Sequence, residues 1–372
     1  TYYQPCDSLK PNYEGEKVHP NPQLQPGKFG QAFLMEQRWS LNVLKDPTFE
    51  GAPADAWVLI GSPQRLTQGG WRKSGCFQID SANYLRQAVD GLKKDKLHCL
   101  SVYAKSPDAG QLVLSATCGG ETAIFESKPL TADYQRLHLS FRAKSVAATV
   151  TLRGKDGKKV VIAAAQLDSG RSWPRDFLPE TNKPAGTEWV DIPARPEIFN
   201  PMKGAIAFWL LPKWLDGESD GGMAFFNAQT TEPAKDYASR KNFISIGAYR
   251  RPGKKGYENA LNVSFRDSEA NAFGYMPIDF DKNEYKPGEW MHVVVTWNII
   301  PGQDSTSECF INGKKAGVKQ FRGAAIAPPQ EITMGYSGGA YADGLMDDFY
   351  IFNRPLTADE AAALYTLGKP LK

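Results

Sequence analysis

The chain of 372 residues reads as all-β, and three observations lead there. Glycine and proline are frequent, 34 and 26 residues, and cut the chain into short segments. Those segments are of strand length and rich in alternating apolar residues, as in KGAIAFWLLPKW (203–214) and EWMHVVVTWN (289–298). Helical periodicity is rare, with its clearest instance at the C-terminal end.

The totals narrow the function. Charged residues make up 23% and the net charge is +3, which gives no electrostatic reason to bind nucleic acid or an anionic membrane. No apolar run is long enough to span a bilayer. The chain begins at Thr1 rather than Met, as a processed secreted protein or a trimmed chain would. The expectation carried forward is a secreted or cell-surface protein.

Taken in order, residues 1–40 hold CDSLKPNYEGEKV and then NPQLQPGKFGQAF, two short strands around a glycine turn. LNVLKDPTFEG (41–51) opens a new pattern. Candidate strands follow at CFQID (76–80), at LHCLSVYAK and QLVLSATC within 97–118, and at YQRLHLSFRAK (134–144). ATVTLRG and KKVVIAAAQLDSG flank the turn signal Asp156-Gly157. Residues 181–200 are rich in proline and polar residues and read as a linker. From Pro201 strands resume at sandwich-like spacing, and Asn312-Gly313 marks a hairpin.

The closing stretch, DGLMDDFYIFNRPLTADEAAALY (343–365), reads as a strand and then a helix. Met346, Phe349, Ile351 and Phe352 form the strand around a polar break at Asp347 and Asp348. Thr357 and Glu360 have the spacing of a capping box. This stretch resembles the last segment of laminin-G-like domains in the concanavalin A-like superfamily, and GKFGQAF resembles their opening. LNVLKDPTFEG and the later AAAQLDSGRSWPRDFLP resemble the first and last strands of family 4/9 carbohydrate-binding modules, which are galactose-binding-like sandwiches. The two resemblances imply a discontinuous concanavalin A-like sandwich (1–38 plus 201–372) interrupted by a carbohydrate-binding-module-like jelly roll (39–180). Glycan or cell-surface polysaccharide recognition is the function they imply.

The resemblance also implies a structural calcium joining first strand to last, with Asp7 and Asp347 or Asp348 standing where its ligands would be. In the insert, Glu50 matches a calcium ligand of related modules, but Ala163 and Ala164 replace the acidic pair, so no calcium is expected there. Sugar faces stack on exposed aromatics, and the candidates are Trp57, Trp71, Tyr84 and Tyr103 in the insert, with Tyr336 and Tyr341 in YSGGAY. The bland reading of each is core packing or a lid.

Five cysteines lack CxxC spacing. Cys99 and Cys118 flank an expected hairpin and are candidates for a disulfide, or are two buried thiols; Cys6 with Cys309 is a second candidate pair. Catalytic motifs are missing. Glu188 and Asp191 lack the three-acid spacing of family 16 glycosidases, and His292 sits in a run typical of a core strand. The expected function is therefore non-catalytic carbohydrate binding. A self-assembling extracellular subunit, associating through edge strands, is the alternative, with a lyase or hydrolase third.

Overall fold

A computed structural model gives the fold. It describes residues 2–4, 6, 14, 16–18, 23–35, 42–51, 56–71, 74–169, 174, 177, 189–212, 223–230, 240–249, 260–280, 283, 286, 288–337, 340–342 and 344–367. The chain divides into two compact units, Thr1–Arg38 with Gly186–Lys372, and Trp39–Ala185.

The first unit is two stacked sheets. One runs through Lys314–Arg322, Asp304–Ile311, Met291–Asn298, Lys203–Pro212, Gly344–Phe352, Gln31–Met35 and Gln23–Pro26, and Tyr2–Gln4 also pairs with Gly344–Phe352. The N-terminal strands and the closing strand thus share one sheet. The other runs through Lys17–Val18, Val190–Ile192, Glu331–Met334, Met223–Gln229, Phe243–Tyr249, Ala260–Arg266 and Ala272–Asp279. Alternate residues of both sheets, among them Phe208, Phe226, Val263, Trp297 and Phe349, fill the core between them. Asn312 and Gly313 have φ of 50° and 75°, the left-handed pair that a two-residue hairpin turn requires.

The helix α1 (Ala358–Leu367) closes the unit. Its capping box forms as the sequence implies: the Glu360 amide donates to Thr357 Oγ1 (3.2 Å) and the Thr357 amide to Glu360 Oε2 (2.9 Å). Ala361 and Leu364 pack on the outer face of the eight-stranded sheet against Ala205, Ala207, Val294 and Phe310.

The linker expected at 181–200 is corrected in part. Val190–Ile192 is a strand, paired on both sides with Lys17–Val18 and Glu331–Met334. Val190 and Ile192 are buried in the core, and a two-apolar, one-polar segment between prolines was too short to stand out.

The second unit is a sandwich of two five-stranded sheets, ordered Glu121–Glu126, Leu112–Cys118, Ala147–Gly154, Tyr84–Asp90, Val58–Ile60 and Gln135–Arg142, Leu97–Lys105, Val160–Ser169, Cys76–Ile79, Gln64–Leu66. Leu100, Val102, Leu114, Val150 and Ile162 are in its core. The strands expected to form a hairpin within 97–118 lie in different sheets. Cys99 pairs in register with Ser140 and Asp168, and Cys118 with Glu121 and Ala148, so they do not face each other.

All five cysteines are buried, and no disulfide joins any two of them. Cys118 Sγ instead donates to the carbonyls of Ser145 and Ala147 at 3.5 and 3.3 Å. In the eight-stranded sheet, the strand of Cys309 lies four places from Tyr2–Gln4, two residues before Cys6. That is roughly 19 Å at ordinary strand spacing, too far for a bridge to the end of that strand.

Candidate functional site

The seven-stranded sheet carries an unusual outer face. Along its strands the core-facing residues are apolar: Val190 and Ile192, Ile332 and Met334, Phe226 and Ala228, Ile244 and Ile246, Val263 and Phe265. The residues between them face away from the core. Register places those in one row: Asp191 opposite Thr333, Thr333 opposite Asn227, Asn227 opposite Ser245, and Ser245 opposite Ser264. Five strands thus contribute five polar side chains in line.

This row is recessed. Thr333 is 0% exposed, Asn227 1%, Ser264 5% and Ser245 7%. Polar groups at such depth ordinarily find partners, because an unmet donor or acceptor forfeits its hydration. Asn227 Oδ1 has none. Beside the row, Asn262 accepts a hydrogen bond at Oδ1 from the Tyr275 hydroxyl and donates from Nδ2 to the Ala260 carbonyl (3.0 Å).

An aromatic pair stands at one end. Trp189 stacks on Tyr336, with ring centroids 4.7 Å apart and planes 21° from parallel. Trp189 Nε1–H donates to Asp191 Oδ1 (2.7 Å), and Thr333 Oγ1 donates to the Tyr336 carbonyl (2.7 Å), so the pair is tied to the row. Arg240 adds a cation, donating from Nη1 to Ser337 Oγ (2.7 Å). Asp191 and Glu331 lie on this face, each engaged: Asp191 by Trp189, and Glu331 by Gln229 Nε2 (3.2 Å).

Of the residues expected to bind sugar, Tyr336 is at this face. Tyr341 pairs with it across a short ribbon, and its side chain lies outside the described residues. The insert's four aromatics do not form one cluster. Trp57 is corrected to core: it is 1% exposed, packs on Phe49 and donates from Nε1 to the Asp46 carbonyl (3.1 Å). Tyr84 lies in the other sheet from Tyr103, with the Arg153 guanidinium 5.1 Å from its ring centre. Trp71 and Tyr103 stack on one another. Sequence reading missed Trp189, Asn227, Ser245, Asn262, Ser264 and Thr333. The signal was present, a single polar residue at the centre of an apolar strand, as in VDI, FNA, ISI and ITM.

The acids of the closing strand were read as cation ligands. Asp347 is fully buried, and its Oδ2 accepts from the amides of Lys28 (2.7 Å) and Phe29 (3.0 Å), its Oδ1 from that of Asp348 (2.8 Å). Asp348 Oδ1 accepts from the Tyr3 hydroxyl. Asp7 lies outside the described residues. Among the described residues no group of three or more His, Cys, Asp or Glu is placed to hold a metal. Asp347 anchors the Lys28-Phe29 turn to the closing strand.

His292 lies on the outer face of the eight-stranded sheet, its ring 4.9 Å from Trp209 and 6.2 Å from Tyr365 of α1. It is 2% exposed, and burial pushes it down to about 4, so it is neutral at physiological pH.

Residues 185–362 match the family model of the concanavalin A-like lectin/glucanases superfamily. That stretch, which includes every strand of the polar row, is a concanavalin A-like domain. No curated protein matches the chain.

Among solved structures, the chain is similar to the binding domain of botulinum neurotoxin DC in complex with SialylT, at 20% identity over 50% of this chain and 41% of that one, TM-score 0.36. It is similar to domain 4 of AbnA, an extracellular arabinanase from Geobacillus stearothermophilus, in complex with arabinotriose (14% identity, 48% and 73% covered, TM-score 0.32). A third is the CBM22-1 xylan-binding domain of Paenibacillus barcinonensis Xyn10C (13% identity, 35% and 95% covered, TM-score 0.29). The chain spans 40–42% of the length of several structures it matches. Likenesses at these TM-scores fix no function for this chain.

Proposed function

We propose that the protein is a non-catalytic glycan-binding protein, extracellular in setting, and that the polar row around Asn227 is its binding face. The observation that carries this reading is the unpartnered Asn227 Oδ1, 1% exposed and facing away from the core. A sugar hydroxyl is the kind of donor that satisfies it. Ser245, Ser264 and Thr333 line up beside it to exchange further hydrogen bonds, and the Trp189–Tyr336 pair supplies an apolar surface at one end.

Glycan-array screening followed by calorimetry on the best ligand tests the reading. Asn227→Ala is expected to weaken binding by roughly tenfold or more, the scale of one buried hydrogen bond. Unchanged binding would contradict it. Release of reducing ends or of unsaturated uronates, lost in Asp191→Asn or Glu331→Gln, would make the face catalytic instead.

Self-association is a second reading, favoured by one edge. The outer strand Glu121–Glu126 pairs on one side only and leaves Ile124 61% exposed. Ile124→Lys is then expected to lower the apparent mass on gel filtration. A wild-type chain that elutes as a monomer at every concentration would end that reading.

A further inference from the structure

One loop of the second unit is built around a positive charge. Residues 42–51 lead into the sandwich and are pinned from inside. Phe49 packs in the core against Trp57 and Phe77, and the Ala165 amide donates to the Pro47 carbonyl (2.9 Å). Asp46 and Phe49 take left-handed φ of 45° and 56°, uncommon for residues with a side chain. Asp46 Oδ1 closes the turn by accepting from the amides of Glu50 (3.0 Å) and Gly51 (3.1 Å). With the chain turned in this way, the carbonyls of Phe49, Glu50 and Gly51 all reach one group.

That group is the Arg65 guanidinium. Its Nη2 donates to the carbonyls of Phe49 (2.9 Å) and Glu50 (2.7 Å), and its Nη1 to that of Gly51 (3.0 Å). Arg65 is delivered by Gln64–Leu66, the outermost strand of its sheet, where it stands opposite Phe77. Consecutive carbonyl oxygens aimed at one point bring their negative ends together and repel unless a cation sits among them. A hard metal ion can meet that need, with about six to eight oxygens that include carboxylates. A guanidinium meets it with a planar fork of N–H donors.

The resemblance to carbohydrate-binding modules implies a calcium ion near Glu50, and the residues present do not fit one. The positions that would supply its acids are Ala163 and Ala164, both buried, at the bulge in Val160–Ser169. Neither has a side-chain oxygen, and Asp46 Oδ1 is already taken by two amides. Three neutral carbonyls are a sparse cage for a divalent ion and a matching set of acceptors for one guanidinium.

We propose that Arg65 stands in the second unit in the place of a structural metal ion. Its guanidinium is the cation that fixes residues 46–51, and the loop keeps its shape without divalent metal. Cutting the side chain back leaves a carbonyl cluster that takes a free guanidinium ion. This site is independent of the row around Asn227.

Hydrogen exchange at the Glu50 and Gly51 amides, followed by nuclear magnetic resonance on the full chain, tests the proposal. Wild-type exchange is expected to be the same in calcium and in a chelator. Arg65→Ala is expected to speed it about tenfold, the scale of one charge-assisted hydrogen bond. Millimolar guanidinium is expected to slow it again, while sodium chloride at the same strength does not. Arg65→Met, which keeps the apolar stem, is expected to exchange like Arg65→Ala. Wild-type exchange that slows on adding calcium overturns the proposal. So does an Arg65→Ala or Arg65→Met loop as slow as wild type, or an Arg65→Ala loop that guanidinium leaves unchanged. Should Arg65→Ala fail to fold, Arg65→Met with and without guanidinium gives the same comparison, and protection restored by calcium instead of guanidinium overturns the proposal.

Discussion

At the scale of single residues, stability and function separate at Asn227. Its buried Oδ1 has no partner, so truncation removes an unmet acceptor along with a little packing. Asn227→Ala is expected to change the melting temperature by no more than a destabilisation of about 1 kcal/mol would, while binding weakens roughly tenfold or more. A large fall in Tm would mark Asn227 as structural. Asp347 gives the pH dependence. Burial foremost, and then the charge of Asp348, push its carboxyl up to about 7 from 3.8, against the pull of three backbone amides. The folded chain keeps a proton there that the unfolded chain has released. That contribution is complete below the unfolded value, shrinks as pH rises, and is gone above about 7. Thermal melts between those limits are expected to show declining stability, and Asp347→Asn to flatten the decline. A slope identical in wild type and variant would mean that Asp347 does not titrate there.

At the scale of elements, α1 shows a local code read correctly from sequence. Thr357 and Glu360 gave its start, and the reciprocal hydrogen bonds are formed. Glu360 also receives Arg354 (2.9 and 2.5 Å), which together with the Thr357 amide holds its carboxyl down at about 2. Thr357→Ala is expected to cost about 1 kcal/mol, the usual worth of an N-cap, measured by denaturant titration. No loss would mean that the helix is held by Ala361 and Leu364 alone. Strand pairing was less legible. LHCLSVYAK and QLVLSATC have the apolar alternation of a hairpin, but each satisfies that alternation equally well in separate sheets facing one core. Alternation gives the face of a strand and not its neighbour. The short strand Val190–Ile192 was hidden for a related reason: three residues carry no period.

At the scale of the whole molecule, composition and punctuation sufficed for an all-β chain, and the motif-bearing ends carried the concanavalin A-like resemblance. The proposed binding face was scarcely legible. Its polar row is drawn from five strands, Val190–Ile192 to Ala260–Arg266, each contributing one side chain. Only register brings Asp191, Thr333, Asn227, Ser245 and Ser264 into line, and register is set by long-range pairing. In the insert Trp57 misled, because tryptophan has the same letter in a core as in a cleft. Nuclear magnetic resonance on the full chain, following side-chain amides while the best array ligand is added, is the most direct test. The account predicts the largest shifts at the Asn227 Nδ2H₂ pair and the Trp189 indole N–H, with Asn262 beside them. Shifts that leave these three unmoved and gather elsewhere would contradict it.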